Sequence, residues 1–248
     1  MTHSKLATND SAEIVYQRII KPKNLFVRAM NTFFMNFCKA VYNYYCPLTV
    51  IGQENVPLEP FIFCSNHSSH MDSSVLMTAS GLPFEQCAMV AAEDYFFHHS
   101  RKRNLVQLLM NLIPIDREAS KESILTSVKL CEAFIKKGNR NLIIYPEGTR
   151  STTGELQVFK KGTAWIAMRL KLPIVPAYIS GTYAAMPKGK IFPKPKAISV
   201  TIGKPIYPNQ ILQSVAKSGE RPNSQSYRHL TETLELEVRK LKERAIGI

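Results

Sequence analysis

Short apolar segments and helix-like segments alternate along most of this chain. The apolar segments are rich in the β-branched and aromatic residues typical of buried strands. They cover residues 48–52, 61–64, 86–91, 141–145, 172–179 and 197–203. One helical segment ends near Ser80, and the others cover 95–112, 120–137, 163–170 and 226–245. The last of these places Leu230, Leu234, Val238 and Leu241 on one face. This alternation predicts an α/β fold with a central mixed sheet flanked by helices.

The chain divides into three regions. Residues 1–24 are polar, and we expect them to form a flexible N-terminus. They lack the apolar core of a secretory signal. Residues 25–47 place aromatic and aliphatic side chains at helical spacing and include Arg28 and Lys39. This pattern predicts an amphipathic helical segment that contacts a membrane rather than a clean transmembrane span, with packing against the domain core as the alternative. Residues 48–248 then form the main domain.

The charge of the chain indicates anionic partners. The net charge is +13, which suits an anionic membrane surface, a phosphorylated metabolite or an acidic carrier protein. We do not expect nucleic acid as a partner, because no nucleic-acid-binding motif of interleaved basic and aromatic residues is present. The five cysteines are odd in number and form no CxxC pair, which favours reduced thiols in a cytosolic protein. We therefore expect a protein on the cytoplasmic face of a membrane, peripheral or monotopic.

A histidine turn follows the predicted strand at residues 61–64. Its sequence, Ser-Asn-His-Ser-Ser-His-Met-Asp, puts His67 just after the strand and Asp72 five residues later, where a helix begins. The carboxylate can fold back from the first helical turn onto one imidazole nitrogen, which leaves the other nitrogen as a base. His70 is interpreted as structural. Cys64 could be a rival nucleophile, but its place in a buried strand favours a packing role.

Three further motifs follow in order: Ile113–Arg117 (IPIDR), Tyr145–Ser151 (YPEGTRS) and Ile174–Ala177 (IVPA). Together with the histidine turn, they resemble the glycerolipid acyltransferases, the family of 1-acylglycerol-3-phosphate acyltransferase, over about residues 48–205. The resemblance makes residues 48–248 an acyltransferase domain. It implies transfer of a fatty acyl group from acyl-CoA or acyl-carrier protein to the hydroxyl of a lysolipid acceptor, with 1-acylglycerol-3-phosphate giving phosphatidate as the first candidate.

The chemistry of this reaction agrees with the residues present. His67 would take the proton of the acceptor hydroxyl as general base, and Asp72 would orient the imidazole. No cofactor and no metal are expected, because the acyl donor is itself a substrate and no histidine spacing suits zinc. Another lysophospholipid or a lyso-ornithine lipid remains an alternative acceptor. A lipid hydrolase or thioesterase that uses the same histidine is the alternative activity.

Substrate binding is assigned to basic and turn residues near these motifs. Arginine presents a planar fork to phosphate, glycine brings backbone N–H groups close to a ligand, and helix N-termini attract anions. Glutamate is expected to orient an arginine or a hydroxyl. The candidates are Arg117, Glu147, Gly148, Thr149, Arg150, Lys160 and Lys161.

Overall fold

The computed structural model describes residues 16–17, 21, 23–92, 110–115, 121–138, 140–209, 211, 213 and 222–246. Most of the predicted flexible N-terminus at residues 1–24 therefore lies outside the described residues. Seven strands form one sheet in the order β1-β7-β6-β2-β5-β3-β4. The strands are β1 (Leu48–Ile51), β2 (Ile62–Ser65), β3 (Cys87–Ala92), β4 (Asn111–Ile115), β5 (Asn141–Ile144), β6 (Ile174–Ser180) and β7 (Ile198–Ile202). The pair β6–β7 is antiparallel and the other neighbouring pairs are parallel, so the predicted mixed sheet is confirmed.

The described helices flank this sheet. They are α1 (Leu25–Ala40), which continues as a π-helical turn at Val41–Tyr45, α2 (Asp72–Ser80), α3 (Lys121–Ile135), α4 (Gly162–Leu170), α5 (Thr182–Ala185) and α6 (Ser224–Ile246). Short 3₁₀ turns occupy Gln53–Asn55 and Phe84–Gln86. The four residues that the sequence placed on one face of α6 are all buried, as predicted. Within the described chain, no helix combines the length and the apolarity that crossing a bilayer requires.

Each face of the sheet packs against a separate group of helices. Strand β2 and the residue before it show the division, because Phe61 and Phe63 lie in the core under α1 and α2, whereas Ile62 and Cys64 lie in the core under α3, α4 and α6. Side chains of a strand alternate between the faces of a sheet. Both faces of β2 are therefore buried, which explains why its sequence is continuously apolar rather than alternating.

Two local predictions differ from the structure. The helix predicted at 95–112 extends too far, because Asn111 and Leu112 begin strand β4, and the rest of it, apart from Met110, lies outside the described residues. Pairing with β3 fixes these residues as a strand, and such tertiary pairing overrides local propensity. The strand predicted at 172–179 was also expected to be interrupted at Pro176, which is wrong, because β6 continues through Pro176 to Ser180.

Helix α1 is half buried. Cys38 and Tyr42 lie in the core, and the Tyr42 Oη atom is 2.6 Å from Ser74 Oγ of α2. The opposite side leaves Phe33 and Phe37 exposed. The segment therefore packs against the domain and also presents an apolar surface outward.

The parallel strands bring distant motifs to one edge of the sheet. Strands β2, β5 and β6 are neighbours and run in the same direction, so their carboxyl ends lie side by side. The histidine turn follows β2, the YPEGTRS motif follows β5, and α5 follows β6. The carboxyl edge of a parallel sheet is where α/β proteins commonly bind ligands.

Candidate active site

His67 and Asp72 form a hydrogen-bonded pair. The Nδ1 atom of His67 is 2.8 Å from Oδ2 of Asp72. Asp72 is fully buried and is the first residue of α2. A carboxylate at a helix N-terminus is stabilised by the helix dipole. The pair fixes the orientation of the imidazole and leaves Nε2 as the ring nitrogen not engaged by Asp72.

The same carboxylate oxygen closes the turn. The backbone N–H groups of Ser68 and Ser69 each donate to Asp72 Oδ2 at 2.8 Å. Asp72 Oδ1 is also buried and has no hydrogen-bond partner among the residues that the structure describes. One oxygen therefore holds both the imidazole and the backbone of the turn, so the position of the ring depends on the folded turn as well as on the His-x4-Asp spacing.

The imidazole of His67 lies flat against Tyr145. The two ring centroids are 3.8 Å apart and the ring planes differ by 9°. Tyr145 is buried, and its Oη atom is 2.8 Å from Ser73 Oγ of α2. The side chain of His67 is 18% exposed. Asp72 fixes one edge of the imidazole and Tyr145 covers one face, so the ring is held in one plane while part of it reaches solvent.

Glu147 supports the backbone of the turn. The His67 backbone N–H donates to Glu147 Oε1 at 3.1 Å, and Gln157 Nε2 donates to Glu147 Oε2 at 3.0 Å. Burial raises the pKa of the Glu147 carboxyl from 4.5 to about 7, although both hydrogen bonds oppose this shift. The Ser151 N–H donates to His67 O at 2.7 Å. The YPEGTRS motif is thus bonded to both the N–H and the C=O of the histidine.

Asn66 joins the turn to β6. Its Nδ2 donates to Ile179 O at 2.9 Å, and the Ile179 N–H donates to its Oδ1 at 2.8 Å. This pair of bonds reproduces the pattern of a strand ladder with a side-chain amide. It continues the alignment of β2 and β6 one residue beyond the end of β2.

The other candidates near the YPEGTRS motif take different positions. Arg150 is buried, and its positive charge contributes to the lowered pKa of His70. Gly148 has a φ of +74°, and the Lys160 side chain lies directly over its Cα, so a Cβ there would be 3.1 Å from Lys160 Nζ. The Thr149 carbonyl accepts a hydrogen bond from Gln157 Nε2 at 3.4 Å.

The two lysines point to different places. Lys160 lies over the YPEGTRS motif, whereas Lys161 Nζ donates to Ser224 Oγ at the start of α6, 3.0 Å away. Arg117 lies outside the described residues. The strand that precedes it, β4, runs parallel to β3 and ends at Ile115 on the carboxyl edge of the sheet.

Two further groups have strongly shifted pKa values. Burial, then the charges of Arg150 and His67, lower the pKa of His70 to about 4, so that ring is neutral at neutral pH. Burial also raises the pKa of the Cys64 thiol well above its ordinary value. A buried thiol of this kind is a poor nucleophile, in agreement with the packing role inferred for Cys64.

Sequence reasoning missed the residues that hold the pair in place. Tyr145, Gln157 and Asn66 act through contacts with residues that are distant along the chain. Tyr145 and Asn66 lie inside motifs that the sequence does single out, but nothing in the sequence indicates a ring stack or an amide ladder. In the part of the chain that the structure covers, no three His, Cys, Asp or Glu side chains cluster as metal ligands.

Comparisons with known proteins show which family the chain resembles. A family model described as "Acyltransferase" matches residues 47–180, which is more than half of the chain. The 1-acyl-sn-glycerol-3-phosphate acyltransferase of Cocos nucifera is 34% identical over 160 residues, which are 64% of this chain and 50% of that protein. The protein of the same name from Limnanthes douglasii is 31% identical over 166 residues, 67% of this chain and 57% of that protein. The chain spans about half the length of the curated relatives it matches.

A solved structure has the same fold. The 1-acyl-sn-glycerophosphate (LPA) acyltransferase PlsC from Thermotoga maritima aligns with a TM-score of 0.62 at 23% identity, over 94% of this chain and 88% of that one. The resemblance drawn from the four motifs is confirmed, and the chain belongs to the acyltransferase family.

Proposed function

We propose that this protein transfers a fatty acyl group from acyl-CoA or acyl-carrier protein to the free hydroxyl of a lysolipid. The proposed acceptor is 1-acylglycerol-3-phosphate, which would give phosphatidate, because two curated relatives bear the name of that enzyme. One observation carries the proposal: the 2.8 Å contact between His67 Nδ1 and a fully buried Asp72 carboxylate, on a ring that reaches solvent. This is the geometry of an oriented general base.

In the proposed reaction the acceptor itself is the nucleophile. His67 Nε2 takes the proton of the lysolipid hydroxyl as the oxygen attacks the thioester carbonyl. The tetrahedral intermediate then collapses, the C–S bond breaks, and the imidazolium returns the proton to the leaving thiolate. Asp72 keeps Nδ1 as a donor and stabilises the imidazolium. Proton transfer by a general base such as His67 is typically worth ~10²–10⁴ in rate. No acyl-enzyme and no cofactor are required.

The acceptor phosphate would be bound by basic side chains around the YPEGTRS motif. Arg150 adjoins the histidine turn, and Lys160 lies over Gly148. Arg117 is proposed as a third contact on the motif that follows β4. Charge-assisted hydrogen bonds from arginine are among the strongest phosphate contacts. The net charge of +13 supports an anionic acceptor in an anionic membrane.

We propose that the protein works at the cytoplasmic face of a membrane as a peripheral or monotopic protein. The outer side of α1 exposes aromatic side chains, including Phe26, Phe33 and Phe37. Exposed aromatics on a helix that also carries basic residues are typical of interfacial binding. Membrane contact would bring the site to the phase in which both the lysolipid and the product reside.

A turnover assay with product identification tests the proposal. Purified protein is incubated with 1-acylglycerol-3-phosphate, with other lysophospholipids and with lyso-ornithine lipid, each with acyl-CoA and with acyl-carrier protein as donor. Products are identified by mass spectrometry. We expect phosphatidate, and we expect His67→Gln to abolish it while the variant unfolds at the same temperature as the parent.

His229→Gln is the matched control, because His229 is an exposed histidine on α6. It should retain full turnover. Phosphatidate formation by His67→Gln at the parental rate would refute the general-base role. Release of free fatty acid without any acylated product would refute acyl transfer and favour the alternative hydrolase or thioesterase.

A further inference from the structure

The loop between α5 and β7 carries an unusual combination of residues. Residues 187–197, here called the basic loop, contain four lysines and no acidic residue. Two large apolar residues, Ile191 and Phe192, lie at its centre, and each is 83% exposed. The lysines on either side of them are Lys188, Lys190, Lys194 and Lys196.

The lysines and the two large apolar residues of this loop all have exposed side chains. All four lysines are exposed, and none forms an ion pair with an acidic residue that the structure describes. Two adjacent bulky apolar side chains in open solvent are unfavourable unless another phase covers them. Apolar residues flanked by lysines suit the interface of an anionic bilayer, where the rings and aliphatic chains enter the headgroup region and the ammonium groups meet lipid phosphates.

The end of the π-helical turn holds the basic loop in place. Tyr45 Oη donates to Pro193 O at 3.1 Å, and Cys46 Sγ donates to Lys194 O at 3.4 Å. The Lys194 N–H donates to Ala185 O at 2.8 Å. Each of these bonds uses a backbone group of the loop, so the loop is anchored while its side chains stay outside. Tyr44 and Phe192, which adjoin the hydrogen-bonded residues Tyr45 and Pro193, are both exposed.

The other end of the basic loop is attached to the histidine turn. Ser69 forms an antiparallel bridge with Pro187, and Ser69 Oγ donates to Met186 O at 2.7 Å. The Ser69 N–H also donates to Asp72 Oδ2 at 2.8 Å. The loop therefore runs from the exposed end of α1 to the residues that hold the candidate general base.

We propose that the basic loop is a docking element for an anionic lipid bilayer, in which Ile191 and Phe192 insert between headgroups and the four lysines bind lipid phosphates. The apolar centre favours a bilayer over an acidic protein, because attraction between opposite charges alone would not explain the exposure of Ile191 and Phe192. This inference extends the membrane contact of the proposed function, but it concerns binding and does not require turnover.

Vesicle partitioning of the full chain tests it. One variant changes the four loop lysines to glutamine, and a second is Ile191→Ser combined with Phe192→Ser. Sedimentation is measured with vesicles of pure phosphatidylcholine and with vesicles that also contain phosphatidylglycerol. Each lysine near an anionic surface contributes roughly a fivefold gain in partitioning.

Each loop variant has a control variant with the same kind of change at exposed residues outside the basic loop. The charge control changes four exposed basic residues to glutamine: Lys129, Arg169, Lys204 and Lys240. The apolar control is Leu125→Ser combined with Leu236→Ser, two exposed leucines on α3 and α6. The charge control should lose only the general attraction that comes with a lower net charge, and the apolar control should partition as the parent does.

The two loop variants should give different signatures. The lysine variant should lose up to roughly several hundredfold in partitioning onto phosphatidylglycerol vesicles, because four factors of about five multiply, and little on pure phosphatidylcholine. The Ile191/Phe192 variant should weaken binding to both kinds of vesicle. Partitioning of both loop variants that equals that of their controls would overturn the proposal.

A further arm distinguishes an acidic protein partner. If the lysine variant binds vesicles as its control does but loses affinity for acyl-carrier protein, the bilayer proposal is wrong and the loop is a protein-docking element. These outcomes do not depend on the acyl-transfer assay. Failure of the proposed function would appear there as absent turnover, with vesicle binding unaffected.

Discussion

Replacing Glu147 by glutamine should change how the stability of this protein depends on pH. Glu147 is 2% exposed, and its burial raises the pKa of its carboxyl from 4.5 to about 7. Between these two values the folded protein holds a proton that the unfolded chain releases. Stability therefore falls as pH rises through this interval, because the folded state then binds more protons than the unfolded state.

The size of the effect follows from the two pKa values. One pKa unit corresponds to about 1.4 kcal/mol, so ionising Glu147 in the fold costs about 3 kcal/mol above pH 7. Between pH 5 and pH 8, the free energy of unfolding should fall by about 2–3 kcal/mol because of this one group. His70 acts in the opposite sense, since its pKa of about 4 makes stability rise with pH between 4 and 6.5. That contribution is common to parent and variant and cancels in their comparison.

Urea unfolding at pH 5, 6, 7 and 8 measures the difference. The stability of Glu147→Gln relative to the parent should improve by about 2–3 kcal/mol from pH 5 to pH 8. Glu243→Gln, which replaces an exposed glutamate near the end of α6, should show no such trend. Parallel pH profiles for the parent and Glu147→Gln would refute the reasoning, because they would mean that Glu147 ionises alike in the folded and unfolded chain.

Three other substitutions separate the groups that hold the imidazole. Asp72→Asn should lower kcat by about 10³–10⁴ with little change in KM, because a neutral amide stabilises the His67 imidazolium less and no longer fixes the tautomer. Tyr145→Leu removes the ring that covers His67 and should lower kcat about five- to tenfold, the equivalent of one aromatic contact. Tyr145→Phe keeps the stack and loses only the hydrogen bond to Ser73 Oγ, so kcat should stay near the parental value while stability falls by about 1 kcal/mol. Steady-state kinetics and urea unfolding of each variant give these quantities.

Two results would contradict the roles inferred for Asp72 and Tyr145. A loss of less than tenfold in Asp72→Asn would mean that the carboxylate does not act through the imidazole. Equal kcat values for Tyr145→Leu and Tyr145→Phe would mean that the stack has no part in orienting the ring.

Local sequence was sufficient for part of the site. His67 and Asp72 meet because a five-residue spacing across a strand-to-helix turn lets the carboxylate of the first helical turn reach back. Gly81 ends α2 in the left-handed conformation, as its position after the helical segment predicts. The buried stripe of α6 follows from helical periodicity. All of these relations join residues within a few turns of one another.

Other parts of the site could not be predicted from the sequence. Glu147 and Gln157 were not expected to support the His67 backbone, because the partners are 80 and 10 residues from Glu147 along the chain. Lys160 and Lys161 have the same charge and adjacent positions, yet one lies over Gly148 and the other binds Ser224 of α6. Which neighbour each lysine meets depends on how α6 packs, and the sequence does not encode that locally.

The sequence by itself determined the alternating α/β architecture, the identity of the histidine–aspartate pair and the family, since all three depend on short-range spacing and on motif order. The tertiary structure alone decided that Tyr145 covers the imidazole, that Glu147 is buried beneath the turn, and that the basic loop joins α1 to Ser69. The physical reason is the parallel register of β2, β5 and β6. Hydrogen bonds between strands bring their carboxyl ends together, and so place residues tens of positions apart within contact of one another.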